Sequence, residues 1–233
     1  MAALLAVFVF RRNLSAELTL LSGFGILRNV PTAPPTRTID WFSLLQENRI
    51  IGLTMLDVLD LVEYILVGLI FLALCAALWR TDKSAMVIAT TLGIVGITVY
   101  LATNQAFSML ALSERYSAAA TDVERSMLLA AGEALLAVQY PGSIYQGTGI
   151  YLSLLLVLLA GLIYSIVMLR SGVFSRATAV VGILANGIGL CYFLTLIFAP
   201  AIYWIPHPIS APFRVIWYFL IALKLFSLAR NDG

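Results

Sequence analysis

Three acids, Asp57, Asp60 and Glu63, are spaced three apart, and no further charge follows from 64 to 79. Carboxyl groups placed this way can carry protons, act as an acid–base pair or hold a cation. On a helix they fall within about 120° of arc. Glu63 lies roughly 9 Å further along the axis than Asp57. An ionised carboxylate facing lipid is expensive, so Glu63 must face other helices, a partner or a wet cavity. Asp57 and Asp60 also have a plainer reading, as acids at a helix N-terminus that the dipole favours. The expected counter-charges for Glu63 are Arg28, Arg125 and Arg214, while Lys224 falls near the opposite end of its own span and snorkels to the surface.

A second group, Asn104, Gln105, Tyr116, Arg125 and Glu133, could line a vestibule, or could fasten a peripheral helix to its neighbours. Asn186, in the middle of an apolar run, reads first as an interhelical hydrogen bond and second as part of a polar pathway. His207 is the only histidine, so no metal site is expected around it. No Gly-rich phosphate loop, HExxH, GxSxG or CxxC occurs. No catalytic residue and no cofactor are assigned, and an enzymatic reading survives only as dispersed acids acting on a lipid or isoprenoid.

The elements that must position these groups follow from composition. Hydrophobic residues make up 61% of the 233 and charged residues 11%. A soluble domain is nearer half apolar and a quarter charged, and has nowhere to hide so much apolar surface. The implied class is all-α, a polytopic transmembrane helix bundle forming a single integral membrane domain over 1–233, because lipid obliges the backbone to satisfy its own hydrogen bonds. A net charge of +2 offers no basic field for nucleic acid. Cys75 and Cys191 fall in apolar runs and read as small buried hydrophobes rather than a disulfide.

Windows of about 20 apolar residues give spans at 57–79, 85–108, 148–169, 177–199 and 213–228, with a weaker first span at 14–30, six in all. Residues 1–10 are too short to cross and precede their basic residues, unlike a signal peptide. The prolines at 31, 34 and 35 break the chain, and Trp41, Phe42, Leu44 and Leu45 suggest an amphipathic piece at the interface. The 112–149 stretch is non-spanning. Within it, Thr121 and Glu124 form a capping box that starts a helix over 122–139. This helix is apolar on nearly all sides and is expected to pack on the membrane domain, with Val123, Met127 and Val138 on one face. Thr178, Gly182, Asn186 and Gly189 draw a small and polar seam along the 177–199 span. The stretch 200–212 reads as a proline-rich loop.

Arg80, Lys83, Arg170, Arg176 and Arg230 mark alternate turns, so the positive-inside rule puts those turns and the C-terminus in the cytoplasm. The location implied is the cell (cytoplasmic) membrane. Glu63 and the capped helix then fall on the outer side.

Asn104-Gln-Ala-Phe-Ser-Met-Leu-Ala-Leu-Ser-Glu-Arg-Tyr116, Ala118-Ala-Ala-Thr121 and Arg125-Ser-Met-Leu-Leu-Ala-Ala-Gly-Glu133 resemble a family of prokaryotic polytopic membrane proteins grouped as a domain of unknown function. Gly147-Thr-Gly-Ile-Tyr151, Met168-Leu-Arg170-Ser, Val173-Phe-Ser-Arg176 and Ile216-Trp-Tyr-Phe-Leu-Ile are similar too, so the likeness covers roughly 50–230. It implies a membrane domain of six or seven helices and no activity. The leading expectation is therefore a non-enzymatic multipass protein that moves or senses a small solute, ion or proton. The alternatives are a structural or interaction subunit and the lipid-acting enzyme. Expected partners are the bilayer and, through helix contacts, another copy or a partner protein, with the small-molecule ligand unassigned.

Overall fold

The computed structural model describes residues 31, 34–139 and 147–231. The weak span at 14–30 and the stub at 1–10 lie outside the described residues. Every regular element among those described is an α-helix. They form two compact units: one from 62–101 and 151–231, the other from 34–61 together with 102–139 and 147–150. Among the described residues, five stretches are long and apolar enough to cross a membrane. The chain is an all-α multipass membrane protein.

The second unit is built from four short helices: α1 (Thr38–Glu47), α2 (Arg49–Met55), α5 (Ala106–Ala118) and α6 (Asp122–Gln139). Asn48 ends α1 in an extended conformation, and its side chain accepts the Ile51 amide at 3.1 Å, so one residue stops one helix and caps the next. Trp41, Phe42 and Leu45 project from one face of α1 and join Ile51, Met55 and Met109 in a closed core. Each such side chain contributes roughly 1.5–3 kcal/mol by leaving water. The aromatic piece at 41–45 is therefore amphipathic, as its pattern suggests, and its rings fill this core. Gln46 Nε2 donates to the Ser113 carbonyl at 2.6 Å and ties α1 to α5. The exposed Arg49–Glu114 pair at 2.7 Å adds at most about 1 kcal/mol.

Helix α6 spans the range expected of it, with Thr121 Oγ1 accepting the Glu124 amide at 3.2 Å. The Glu124 carboxylate reaches back to the Ala120 amide at 3.3 Å, one residue beyond the usual box partner. The face it buries differs from expectation. Leu128, Gly132 and Leu136 turn inward, whereas Val123 and Met127 are 70% and 65% exposed. Gly132 decides this, because a Cβ there would lie 2.9 Å from the tip of the Phe42 ring. The closest helix approach runs through glycine, which apolar periodicity does not count.

The first unit takes α3 (Val58–Leu78) from Val62, α4 (Lys83–Thr103) to Leu101, α7 (Thr148–Arg170) from Tyr151, and all of α8 (Arg176–Phe198) and α9 (Pro206–Asn231). Along α3, Glu63, Val67, Ile70, Phe71, Leu74 and Leu78 are buried, while Val62, Ile65, Leu69 and Leu72 are exposed. A helix apolar inside and out is one whose solvent is lipid. Without a hydrophobic drive between helices in lipid, close packing takes over. Phe71 of α3 seats over Gly93 of α4, and Gly182 of α8 admits both Ser165 of α7 and Trp217 of α9.

Boundaries shift in three places. The 57–79 span begins at Val58, because Asp57 has φ +61°, outside the helix. The 85–108 span stops at Thr103, and α5 starts afresh at Ala106, whose amide is accepted by Asn104 Oδ1 at 3.0 Å. The last helix begins at Pro206 rather than 213. Prolines suit a first helical turn, whose amides have no intrahelical partner, so Pro206 and Pro208 start the helix instead of forbidding it. Only Pro212, inside the helix, forfeits a hydrogen bond. Neither cysteine is disulfide-bonded, but Cys191 is exposed on α8 rather than buried.

Candidate functional site

Within the first unit, Glu63 is 2% exposed and Arg214 3%. Arg214 lies within electrostatic reach of Glu63, Tyr64 and Tyr218, and Tyr218 in turn feels Glu63. A carboxylate from α3 and a guanidinium from α9 thus share one buried neighbourhood. Arg214 Nη2 donates to Ser210 Oγ at 3.2 Å, one turn back on its own helix. Across from it is Gly189 of α8, where a Cβ would fall 3.7 Å from Nη2. Tyr64 stacks flat on Tyr100 of α4, with ring centroids 3.9 Å apart and planes 4° from parallel.

Other buried polar groups lie in the same unit. Asn186 Nδ2 donates to the Gly182 carbonyl on its own helix at 2.8 Å, and its amide packs over Gly161 of α7. The hydrogen bond found is therefore within its own helix rather than between helices as expected, and what reaches α7 is packing over Gly161. Trp217 Nε1 and Ser153 Oγ are buried without a hydrogen-bond partner among the described residues. On the neighbouring helices, Tyr164 Oη donates to the Phe71 carbonyl at 2.9 Å and lies 2.7 Å from Thr90 Oγ1.

The remaining candidates belong to the second unit or to the first turn of α3. Asp60 is half-buried in that turn. The Asp57 carbonyl accepts from Asn104 Nδ2 at 3.2 Å, so Asn104 bridges two chain segments while capping α5. Arg125 donates to the Ala119 carbonyl at 3.2 Å and lies 3.6 Å from Asp122, which makes it a fastener of the α6 start. Glu133 is exposed on α6. Gln105 and Asp57 border a small cleft with Met109 and Leu135. Among the described residues, no three His, Cys, Asp or Glu side chains come together as a metal site.

Of the counter-charges considered for Glu63, Arg28 lies outside the described residues, Arg125 is engaged on α6, and Arg214 is within electrostatic reach. The sequence reading did not single out Ser210, Tyr64, Tyr100, Trp217 or Tyr218. A signal was present: Ser210, Arg214 and Tyr218 recur at i, i+4 and i+8, one face of a helix. Placing Ser210 in a proline-rich loop hid it. No family model matches the chain, and neither a curated protein nor a solved structure matches it.

Proposed function

We propose that this multipass membrane protein moves or senses a small solute, ion or proton, with the Glu63–Arg214 pair as its working centre. The observation that carries the reading is the burial of both charges among helices of the first unit. A buried pair contributes little net stability, since apolar residues of similar volume often do as well or better. Ionisable groups within membrane segments usually mark ion, proton or substrate paths. The positive-inside pattern places this end of α3 outward and the C-terminus in the cytoplasm of a cytoplasmic membrane, and we retain that orientation. The likeness of 50–230 to the family of unknown function accompanies the proposal as a resemblance only.

The test is flux in proteoliposomes containing the purified chain, read as internal pH and as uptake of small labelled solutes. Wild-type protein should give a signal that Glu63→Gln lowers at least tenfold. A wild-type protein silent towards every solute and towards protons would reject the reading. The exposed Val123 and Met127 on α6 favour a second one, a partner-binding subunit. Under it, deleting 118–140 would abolish co-purification of a partner and leave membrane insertion intact.

A further inference from the structure

We propose that one end of the first unit, made by the α3–α4 turn, the α7–α8 turn and the last turns of α9, holds the phosphate headgroups of anionic phospholipids. The inference goes beyond the transport-or-sensing reading and does not depend on it.

Helix register brings these stretches to one level. Between α4 and α7, Gly93 meets Ala160 and Gly96 meets Val157, so the two helices run antiparallel. Lys83 and Arg170 each lie about three turns from the Gly93–Ala160 contact, towards the same end. Between α7 and α8, Gly161 meets Asn186 and Ser165 meets Gly182, again antiparallel. Arg170 and Arg176 each follow within about two turns of the Ser165–Gly182 contact. Trp217 of α9 meets the same Gly182, and Lys224 lies about two turns beyond it towards that end. Arg80 precedes Lys83 in the α3–α4 turn, and Arg230 follows Lys224 by about two turns.

Arg80, Lys83, Arg170, Arg176 and Arg230 are exposed, and Lys224 is half-buried. Among the described residues, no carboxylate forms an ion pair with any of them. Asp82, the one acid described in these turns, has an oxygen committed to the Ala85 amide at 3.0 Å. A Cβ at Gly172 would meet nothing within 4 Å, so the α7–α8 turn stands open between Arg170 and Arg176. The exposed apolar side chains show the depth of these charges. Trp79 directly precedes Arg80, and Leu169 directly precedes Arg170. Val87 and Val180 follow Lys83 and Arg176 by about one turn, and Phe226 precedes Arg230 by about one. Lipid-facing surface thus ends where the cations begin, and a tryptophan at that boundary marks the headgroup zone. Cations at this depth attract anionic headgroups. The same boundary favours a lipid over a soluble anion or an acidic protein tail. A phospholipid can place its phosphate among the cations while its acyl chains lie along the apolar side chains of the same helices.

The experiment offers the full chain, in neutral detergent, equal amounts of phosphatidylglycerol and phosphatidylcholine with matched acyl chains. Lipids that co-elute with the protein on gel filtration are then quantified. Wild type should retain phosphatidylglycerol about tenfold over phosphatidylcholine. That preference should shrink severalfold when salt is raised from about 0.1 M to about 0.5 M, because salt screens exposed charge. Arg170→Gln combined with Arg176→Gln should bring the two lipids near parity. Arg115→Gln, an exposed cation on α5 of the second unit, should leave the preference unchanged. Glycerol phosphate in large excess, which is headgroup without chains, should not displace the lipid. Equal retention of both lipids by wild type would mean that these cations only orient the chain, and would overturn the proposal. An unchanged preference in the double variant would overturn it too. Displacement by glycerol phosphate would reassign the site to a soluble phosphate, and binding of an acidic peptide without any lipid preference would reassign it to a protein. If the double variant does not fold, Lys83→Gln and Lys224→Gln made singly take its place, each with a loss of roughly fivefold.

Discussion

Tyr164 shows how much one hydroxyl can hold in lipid. Its proton goes to the Phe71 carbonyl, and Thr90, which also donates to the Met86 carbonyl at 2.6 Å, sits 2.7 Å away. Two hydroxyl protons are shared among three contacts that join α3, α4 and α7. Interhelical hydrogen bonds in membranes average about 0.6 kcal/mol and reach roughly 1.7. Tyr164→Phe should therefore cost about 1 kcal/mol in unfolding from detergent, with the fold retained. The Glu63–Arg214 pair calls for a different measurement. Both charges are buried in one unit, so Glu63→Leu and Arg214→Leu should each destabilise, and the double variant should lose less than the sum of the two. A double-mutant cycle by chemical unfolding checks this. Simple additivity of the two losses would show that the groups do not depend on each other.

Helices α8 and α9 pack through a glycine. At Gly182 an added methyl would strike Ser165 and Trp217, both buried. Overpacked sites typically lose about 1–3 kcal/mol. Gly182→Ala should lose that much by thermal unfolding, whereas Gly187→Ala, on the same helix with nothing near its Cβ position, should be neutral or slightly stabilising. Helix α6 depends on its first turn instead. Thr121→Ala removes the acceptor for the Glu124 amide, and loss of an N-cap costs about 1 kcal/mol. Because α6 is exposed apart from one stripe, the loss should appear as faster hydrogen exchange over 122–126 before any global change.

The chain as a whole divides its apolar surface between two uses. In the first unit it faces both inward and outward, and in the second it gathers largely around Trp41 and Phe42. Five crossings from α3 to α9 would put Lys83 and Met127 on opposite sides, since an odd number of spans lies between them. Single cysteines in a background lacking Cys75 and Cys191 test this. Met127→Cys should react with an impermeant maleimide added outside, and Lys83→Cys only after lysis. Labelling of both from one side would reject the orientation.

Residue chemistry alone determined the solvent and the secondary structure. Runs of about 20 apolar residues can satisfy their backbone in lipid only as helices, and the Thr121–Glu124 box fixed the start of α6 because capping is local. Long-range proximity had no such local mark. Arg214 stood as one of three possible counter-charges for Glu63, and only tertiary packing brought α9 beside α3. The stripe that α6 buries was hidden for a related reason: its closest approach passes through Gly132, and a glycine's role in packing depends on what lies opposite it. The start of α9 was hidden because a proline reads as a breaker or as a first-turn residue according to where the helix begins, which its neighbours in space decide.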